Sequence, residues 1–439
     1  MAIGNLMNNL ITEREMAQLI KVDNTPTKTI NVKDMIDKRK LVAHFQPIVS
    51  IAKKNICGLE GLIRGIDIDT EEIISPLLLF SAAKHQGVEI ELDRACRELV
   101  TQTYGAIHLN KKNTLLFLNI NSSILDKVVG SNHLISMVRN CGVNPNDIVI
   151  EINESKVKDT VLLKEFVETY RNYGFLIALD DMGCGFSNLD RIPLVKPDIV
   201  KTDISLVRNI CNDFYVKEVF RSVVSLSIKI GALVVAEGVE TEDEAIQTLE
   251  LGTNMLQGFY ISKPQNMCNG LPESINERIK IIAERFQKVE KGKLIRDRRR
   301  YINLNDIMST VTRRLAAVHV HDFDDELSKT VNSSDGIECA YILNGKGIQS
   351  SATVFPSSII EIKKNLLYYP AEIGTDHSLK TYYRYLHNAK VRKYLTEPYA
   401  SLASGNLCVT FAKTFQDSQN SKYILCIDFN VPGMENEAR

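Results

Sequence analysis

The chain has 439 residues, 44% of them hydrophobic and 24% charged, which is enough for two or three domains with ample cores. Its 53 basic and 54 acidic residues leave a formal net charge of −1, so no global field recruits DNA, RNA or anionic lipid, and an anionic ligand must be met by local charge. Nine cysteines, scattered and without a CxxC pair, argue against a disulfide framework or a zinc knuckle and for reduced thiols in a cytoplasmic protein.

The opening stretch, MAIGNLMNNLITEREMAQ, lacks the charged start, apolar core and cleavage site of a secretory signal. No apolar run approaches the roughly 18 residues that span a bilayer, so a soluble intracellular protein without a membrane span is expected. Residues 1 to about 35 are polar, with a break at Pro26, and read as a short helix followed by a mobile lead-in. From Leu41 onward eight strand-like runs recur: 41–49, 56–64, 114–121, 147–153, 175–181, 198–204, 232–239 and 256–262. Helix-length patterned segments lie between most of them, several stopping at a glycine. Strands alternating with helices over about 230 residues predict a closed α/β barrel rather than an open sheet.

Polar residues sit late in these runs: Glu60, Asn119, Glu151, Asp180, Lys201, Glu237 and Gln257. In a parallel barrel the carboxyl ends of the strands converge on one mouth, so residues far apart in sequence become neighbours. The stretch LIALDDMGCGFS (176–187) adds Asp181 beside Asp180, followed by a loop freed by Gly183 and Gly185. An acid pair before a glycine loop also serves as a helix cap or turn, and a barrel lysine also serves simply to pair with a neighbouring glutamate. Seven or eight such residues on successive strand ends point instead to cations, because buried acids need a positive partner. The set offers only hard oxygen ligands, which favour magnesium, manganese or calcium over zinc. Adjacent aspartates suit two-metal hydrolysis of phosphate esters, Asp180 bridging, with Lys201 facing the attacking water or the developing charge and Glu237 placed to hold a metal-bound water or take its proton.

From Leu271 to about Ala316 the pattern is charge-rich and helical. Ile275, Ile279, Ile282, Phe286 and Val289 are spaced 4, 3, 4 and 3, a stripe that either joins two chains or packs on the chain's own barrel. The basic run RDRRR (296–300) reads as a solvated helix end, not a nucleic-acid site. Beyond it, β-like runs at 337–345, 406–413 and 423–431, with helical stretches around Leu366 to Tyr369 and Leu379 to Lys393, predict a small α+β domain on an antiparallel sheet.

The motifs FQPIVS (45–50), GLEGLIRG (58–65), FLNIN (117–121), EINES (151–155), DDMGCGFSNL (180–189), KPDIVKTD (196–203), AEGVE (236–240) and QGFYISKP (257–264) closely resemble, in order and spacing, an EAL-domain cyclic di-GMP phosphodiesterase. The resemblance covers about residues 36–265 and implies a TIM-like (β/α)8 barrel with one antiparallel strand. It also implies hydrolysis of cyclic di-GMP to linear pGpG with magnesium or manganese. By that resemblance Glu60, Asn119, Glu151 and Asp180 bind one metal, and Asp180 and Asp181 the second. Lys201 and Glu237 activate water, Gln257 completes the site, Gln46 and Arg64 touch substrate, and Glu154 anchors the glycine loop. The name-giving triplet here is Glu60, Gly61, Leu62, its glycine adding backbone freedom; Met182 replaces an aromatic residue and Cys184 a threonine.

The runs TYYRYLHNAK (381–390), TEPYAS (396–401), SGNLCVTFAK (404–413) and YILCIDFNV (423–431) resemble PAS-like or Cache sensors. Tyr383, Arg384, Tyr399 and Asp428 are the pocket candidates for an unidentified small ligand. The expected layout is a lead-in at 1–35, barrel at 36–268, helical linker at 269–316 and PAS-like regulatory domain at 317–439, assembled as a homodimer. Two other functions remain open: a non-hydrolysing cyclic di-GMP receptor that signals to a partner protein, and a one-metal barrel lyase or isomerase, which the paired aspartates do not suit.

Overall fold

A computed structural model describes residues 30–108, 114–121, 132–153, 159–183, 189–267, 270–357 and 367–431. The chain divides into two compact units, Met1–Glu290 and Lys291–Arg439.

The first unit is built on nine strands: β1 (Leu41–Ser50), β2 (Asn55–Ile66), β3 (Ile73–Ile74), β4 (Leu115–Ile120), β5 (Ile148–Asn153), β6 (Leu176–Met182), β7 (Ile199–Thr202), β8 (Leu233–Ala236) and β9 (Met255–Leu256). The order β1-β9-β8-β7-β6-β5-β4-β2 closes through β1–β2 into an eight-stranded barrel, with β3 a two-residue addition to β2. β1 runs antiparallel to both neighbours, and the pairs from β2 round to β9 are parallel. The fold is the TIM-like α/β barrel with one reversed strand. The last run is strand for only two residues, because the N–H groups of Ile261 and Ser262 turn back onto the Gly258 carbonyl.

Strand periodicity sorts the barrel into layers. One side chain in two faces outward, and Leu59, Leu116, Leu118, Ile150, Ile177, Leu179 and Val200 form the core under the surrounding helices. The inward positions begin with a closed apolar plug of Ile48, Phe117, Val149, Ala178, Ile199, Val235 and Met255. β2 contributes Gly58 at this level, where a Cβ would stand 2.4 Å from the Phe117 ring.

A long helix, Ser274–Leu315, splits its apolar residues between the two units. Ile275, Ile279 and Ile282 are buried in the first unit's core, with Phe286 and Val289 packed against it. Arg285 Nη1 reaches Glu242 at 2.9 Å and its Nη2 pairs with Asp243. The 4-3-4-3 stripe is therefore filled by its own barrel. Leu304, Met308, Val311 and Leu315 belong to the second unit's core.

In the second unit β10 (Ile337–Asn344), β11 (Lys393–Leu395), β12 (Tyr399–Ala400), β13 (Leu407–Gln416) and β14 (Lys422–Asn430) form an antiparallel sheet in the order β10-β14-β13-β11, with β12 on β13. Single bridges tie Gln349 and Val354 to β10. One face packs on the end of the long helix and on Phe323–Ser333; the other is covered by Thr381–Asn388. The helix expected over 379–393 is shorter, since Lys390 adopts a φ of 52° and Lys393 begins β11. Residues 367–369 are not helical, and Leu366 lies outside the described residues.

Candidate active site at the barrel mouth

Two residues along each strand from the apolar plug, the same inward face turns polar. Phe117 is followed by Asn119, Val149 by Glu151, Ala178 by Asp180, Ile199 by Lys201, Val235 by Glu237 and Met255 by Gln257. On reversed β1 the step from Ile48 leads back to Gln46, and on β2 the step from Gly58 leads to Glu60, which registers with Gln46. A ring of polar side chains thus stands directly on a dry floor.

Lys201 is the hub. Its residue is 1% exposed, and its Nζ lies 2.5 Å from Glu237 Oε1, 3.3 Å from Asp180 Oδ1 and 3.6 Å from Glu60 Oε2, with Glu151 Oε1 also in contact. Pairing of this lysine with neighbouring acids is what the geometry contains. Burial opposes the ammonium charge, but Asp180, Glu151, Glu237 and Glu60 outweigh it and hold the lysine well above its ordinary range. Glu60 is bound on both oxygens: Asn119 Nδ2 donates to Oε1 at 2.9 Å, and Gln257 Nε2 donates to Oε2 at 2.5 Å and to Gln46 Oε1 at 3.1 Å. Burial would raise its carboxyl, yet Lys201 and these amides keep it low. Glu151 is pushed well above the carboxyl range by burial and then by Glu60, and Glu237 by burial against the pull of Lys201.

One lysine cannot balance five ionised carboxyls, which is why burial and mutual repulsion push Glu151 and Glu237 toward the neutral acid. Among the described residues, Glu151 Oε2 and Gln257 Oε1 are buried acceptors without a hydrogen bond, and Glu151 Oε1, Asp180 Oδ1 and Glu237 Oε1 meet only the charge of Lys201. Asp180, Asp181 and Glu237 present oxygens that all lie within 4.8 Å of one another. An all-oxygen donor set with unfilled acceptors fits a hard divalent cation. Two consecutive aspartates reach the mouth because β6 slips register between Leu179 and Met182, and Asp181 takes a left-handed φ of 60°. Met182 then points into the outer core, 1% exposed.

Arg64, half-buried on β2, lies four residues beyond Glu60 on the same face and faces Val42 across the pair; its Nη1 donates to the Ile63 carbonyl. Glu154 and Cys184 lie outside the described residues. The reading of Gly61 as added freedom needs correcting. A Cβ there would stand 2.2 Å from Val100 Cγ1 on the Glu89–His108 helix, so its glycine answers a close approach. Sequence reasoning missed Asn153 and His44, which occupy the next inward positions beyond Glu151 and Gln46; the two-residue period was the signal for both.

In the second unit Tyr399 and Asp428 meet through Thr410, whose Oγ1 lies 2.6 Å from the tyrosine hydroxyl and donates to Asp428 Oδ1 at 2.8 Å. Arg384 is exposed, and Tyr383 stacks on His387 and donates to the Gly345 carbonyl at 3.2 Å, so these two are not part of that link.

Residues 31–264, more than half of the chain, match the family described as the EAL domain. The chain belongs to the EAL-domain family. Among curated relatives of this EAL protein, the probable cyclic di-GMP phosphodiesterase PdeI of Escherichia coli is 26% identical over 276 residues, 60% of this chain and 34% of that protein. The probable cyclic di-GMP phosphodiesterase PdeB of the same organism is 28% identical over 232 residues, 53% of this chain and 44% of that one. The chain thus spans less than half the length of either. An uncharacterized EAL-domain containing protein of Bacillus subtilis, YkuI, is 24% identical over 392 residues, 86% of this chain and 92% of its own. The crystal structure of YkuI, in complex with substrate c-di-GMP and calcium, shares the fold with a TM-score of 0.76 at 22% identity, over 92% of this chain and 100% of that one. Among the described residues no helix is long and apolar enough to cross a membrane.

Proposed function

We propose that the barrel hydrolyses one phosphodiester of cyclic di-GMP to give linear pGpG, aided by two divalent cations, magnesium or manganese. The observation that carries this reading is the mouth ring itself: four acids paired with a single lysine, Asp181 beside Asp180 and Glu237, and among the described residues a buried Glu151 Oε2 without a partner. Glu60, Asn119, Glu151 and Asp180 would hold one ion, and Asp180 with Asp181 the other. Bound there, the ions would polarise the phosphate as Lewis acids. Gln46 and Arg64 bind the dinucleotide, Arg64 lending the local positive charge that the neutral chain lacks overall. Glu237, whose Oε1 lies 2.5 Å from Lys201 Nζ at the mouth, accepts the proton of the attacking water. Lys201 offsets the charge that develops as the new P–O bond forms and the ester P–O bond breaks. Gln257 holds Glu60 in place. With manganese, the natural chain is expected to convert cyclic di-GMP to pGpG and Glu60→Ala to lose that activity; nucleotide that binds without turnover would favour the receptor instead.

The second unit is proposed as a PAS-like regulatory domain for a small ligand, in a cytoplasmic homodimer. The sheet order, with Gln349–Val354 beside β10, supports the PAS-like reading. The buried stripe lends the dimer no support, which leaves it resting on the family resemblance. Asp428→Asn is expected to alter turnover in the barrel, and an unchanged rate counts against regulation through this site.

A further inference from the structure

Asn153 ends β5 on the inward face, one step beyond Glu151 and Val149, and it lies in register with Asp180 of β6. Its amide Nδ2 donates to Asp181 Oδ2. A carboxylate only accepts, so the amide must turn its NH2 toward Asp181. We propose that Asn153 is a positioning residue for the second cation, holding the Asp181 carboxylate in the orientation in which it meets Asp180 and Glu237. This rests on the two-metal reading of the mouth.

Asp181 needs such help more than its neighbours do. Glu151 projects from regular strand backbone and Asp180 keeps its pairing with Asn153 on β5, whereas Asp181 sits in the register slip with φ at 60°, a conformation that costs an L-residue about 1–2 kcal/mol. Its left-handed φ takes its side chain off the regular alternation of β6, and the hydrogen bond from the adjacent strand helps to set the rotation about its Cβ–Cγ bond. A neutral donor is suited to this task. A lysine or arginine in the same place would orient the carboxylate equally well but would repel an incoming cation, as Lys201 already does one layer below. An amide supplies direction without charge, as outer partners of metal ligands commonly do.

The test is a manganese titration of the full-length natural chain, Asn153→Leu and Asn153→Ala, followed by the electron paramagnetic resonance signal of free Mn2+ and accompanied by melting temperatures. Asn153→Leu keeps the side-chain size but removes the donor. The natural chain is expected to bind two ions. Both variants are expected to keep the tighter ion and to weaken the second by roughly 10- to 100-fold, with melting temperatures of the metal-free proteins little changed. Unchanged affinity for both ions in the variants would overturn the role of Asn153 while leaving the two-metal reading intact. Equal weakening of both ions with a lower melting temperature would overturn it too, as a general loss of structure. If the natural chain binds no second ion, the two-metal reading itself fails and takes this role with it.

Discussion

Gly61 and Val100 make a pair whose energetics follow from one distance. Gly61→Ala places a methyl group 2.2 Å from Val100 Cγ1, about 1.2 Å closer than the 3.4 Å at which ordinary contact begins. Val100 is 2% exposed in the core between barrel and helices, so it has little room to retreat. Overpacking of this kind costs about 1–3 kcal/mol. Val100→Ala alone removes two buried methyl groups and costs about 2 kcal/mol. Together the two changes exchange volume across the contact, and the double variant should be more stable than the sum of the singles by about 1–2 kcal/mol. Urea unfolding of the four proteins measures the coupling directly. Glu60 precedes Gly61 in the chain, so pGpG production should fall in Gly61→Ala and recover in the double variant. Additive losses within about 0.5 kcal/mol, or a neutral Gly61→Ala, would refute the steric account.

Three further outcomes are expected. In the second unit Glu338 and Asp428 are both buried; burial and then Asp428 push the Glu338 carboxyl from 4.5 to about 7, and burial takes Asp428 from 3.8 to about 6. A carboxyl raised on folding stabilises below its unfolded value and loses that contribution as pH rises through its folded one, so this unit should weaken between pH 4.5 and about 7. The loss is on the order of 3 kcal/mol for Glu338; Glu338→Gln should flatten the pH dependence of unfolding, and a slope equal to that of the natural chain would contradict the assignment. Manganese at 100 times its dissociation constant should stabilise the barrel by about 2.7 kcal/mol, read as a shift in its melting transition that chelation reverses; no shift would mean that the ring does not hold the ion. Ile282→Ala should cost the barrel about 2–5 kcal/mol in chemical denaturation without changing the mass in solution. A change of mass at unchanged stability would return the stripe to an interface between chains.

How much of this was legible depends on what each feature needs. The barrel and its mouth could be read because strands announce themselves locally and the polar residue falls at the same place in run after run. The slip at Asp181 could not, since it arises from the pairing of β6 with β7 and not from either segment. Gly61 was visible as a departure, but its cause stands on Val100, 39 positions away. The stripe from Ile275 to Val289 carries its period without naming its partner, because a helix presents the same face to its own barrel as to a second chain. In the second unit Tyr399 and Asp428 were singled out through the resemblance to PAS-like or Cache sensors, whereas Thr410, which joins them, looks like any strand threonine.

The lysine at the centre of the mouth has a consequence for how the protein lives without metal. Because the chain carries a cation of its own among the acids, the charge of the ring is partly compensated by the protein itself. On the two-metal reading proposed above, the same arithmetic would make metal dependence fragile. Each acid replaced by a neutral residue moves the ring one charge closer to what Lys201 alone satisfies, so a handful of substitutions would separate the proposed ion-requiring hydrolase from a metal-free cup that merely holds its nucleotide.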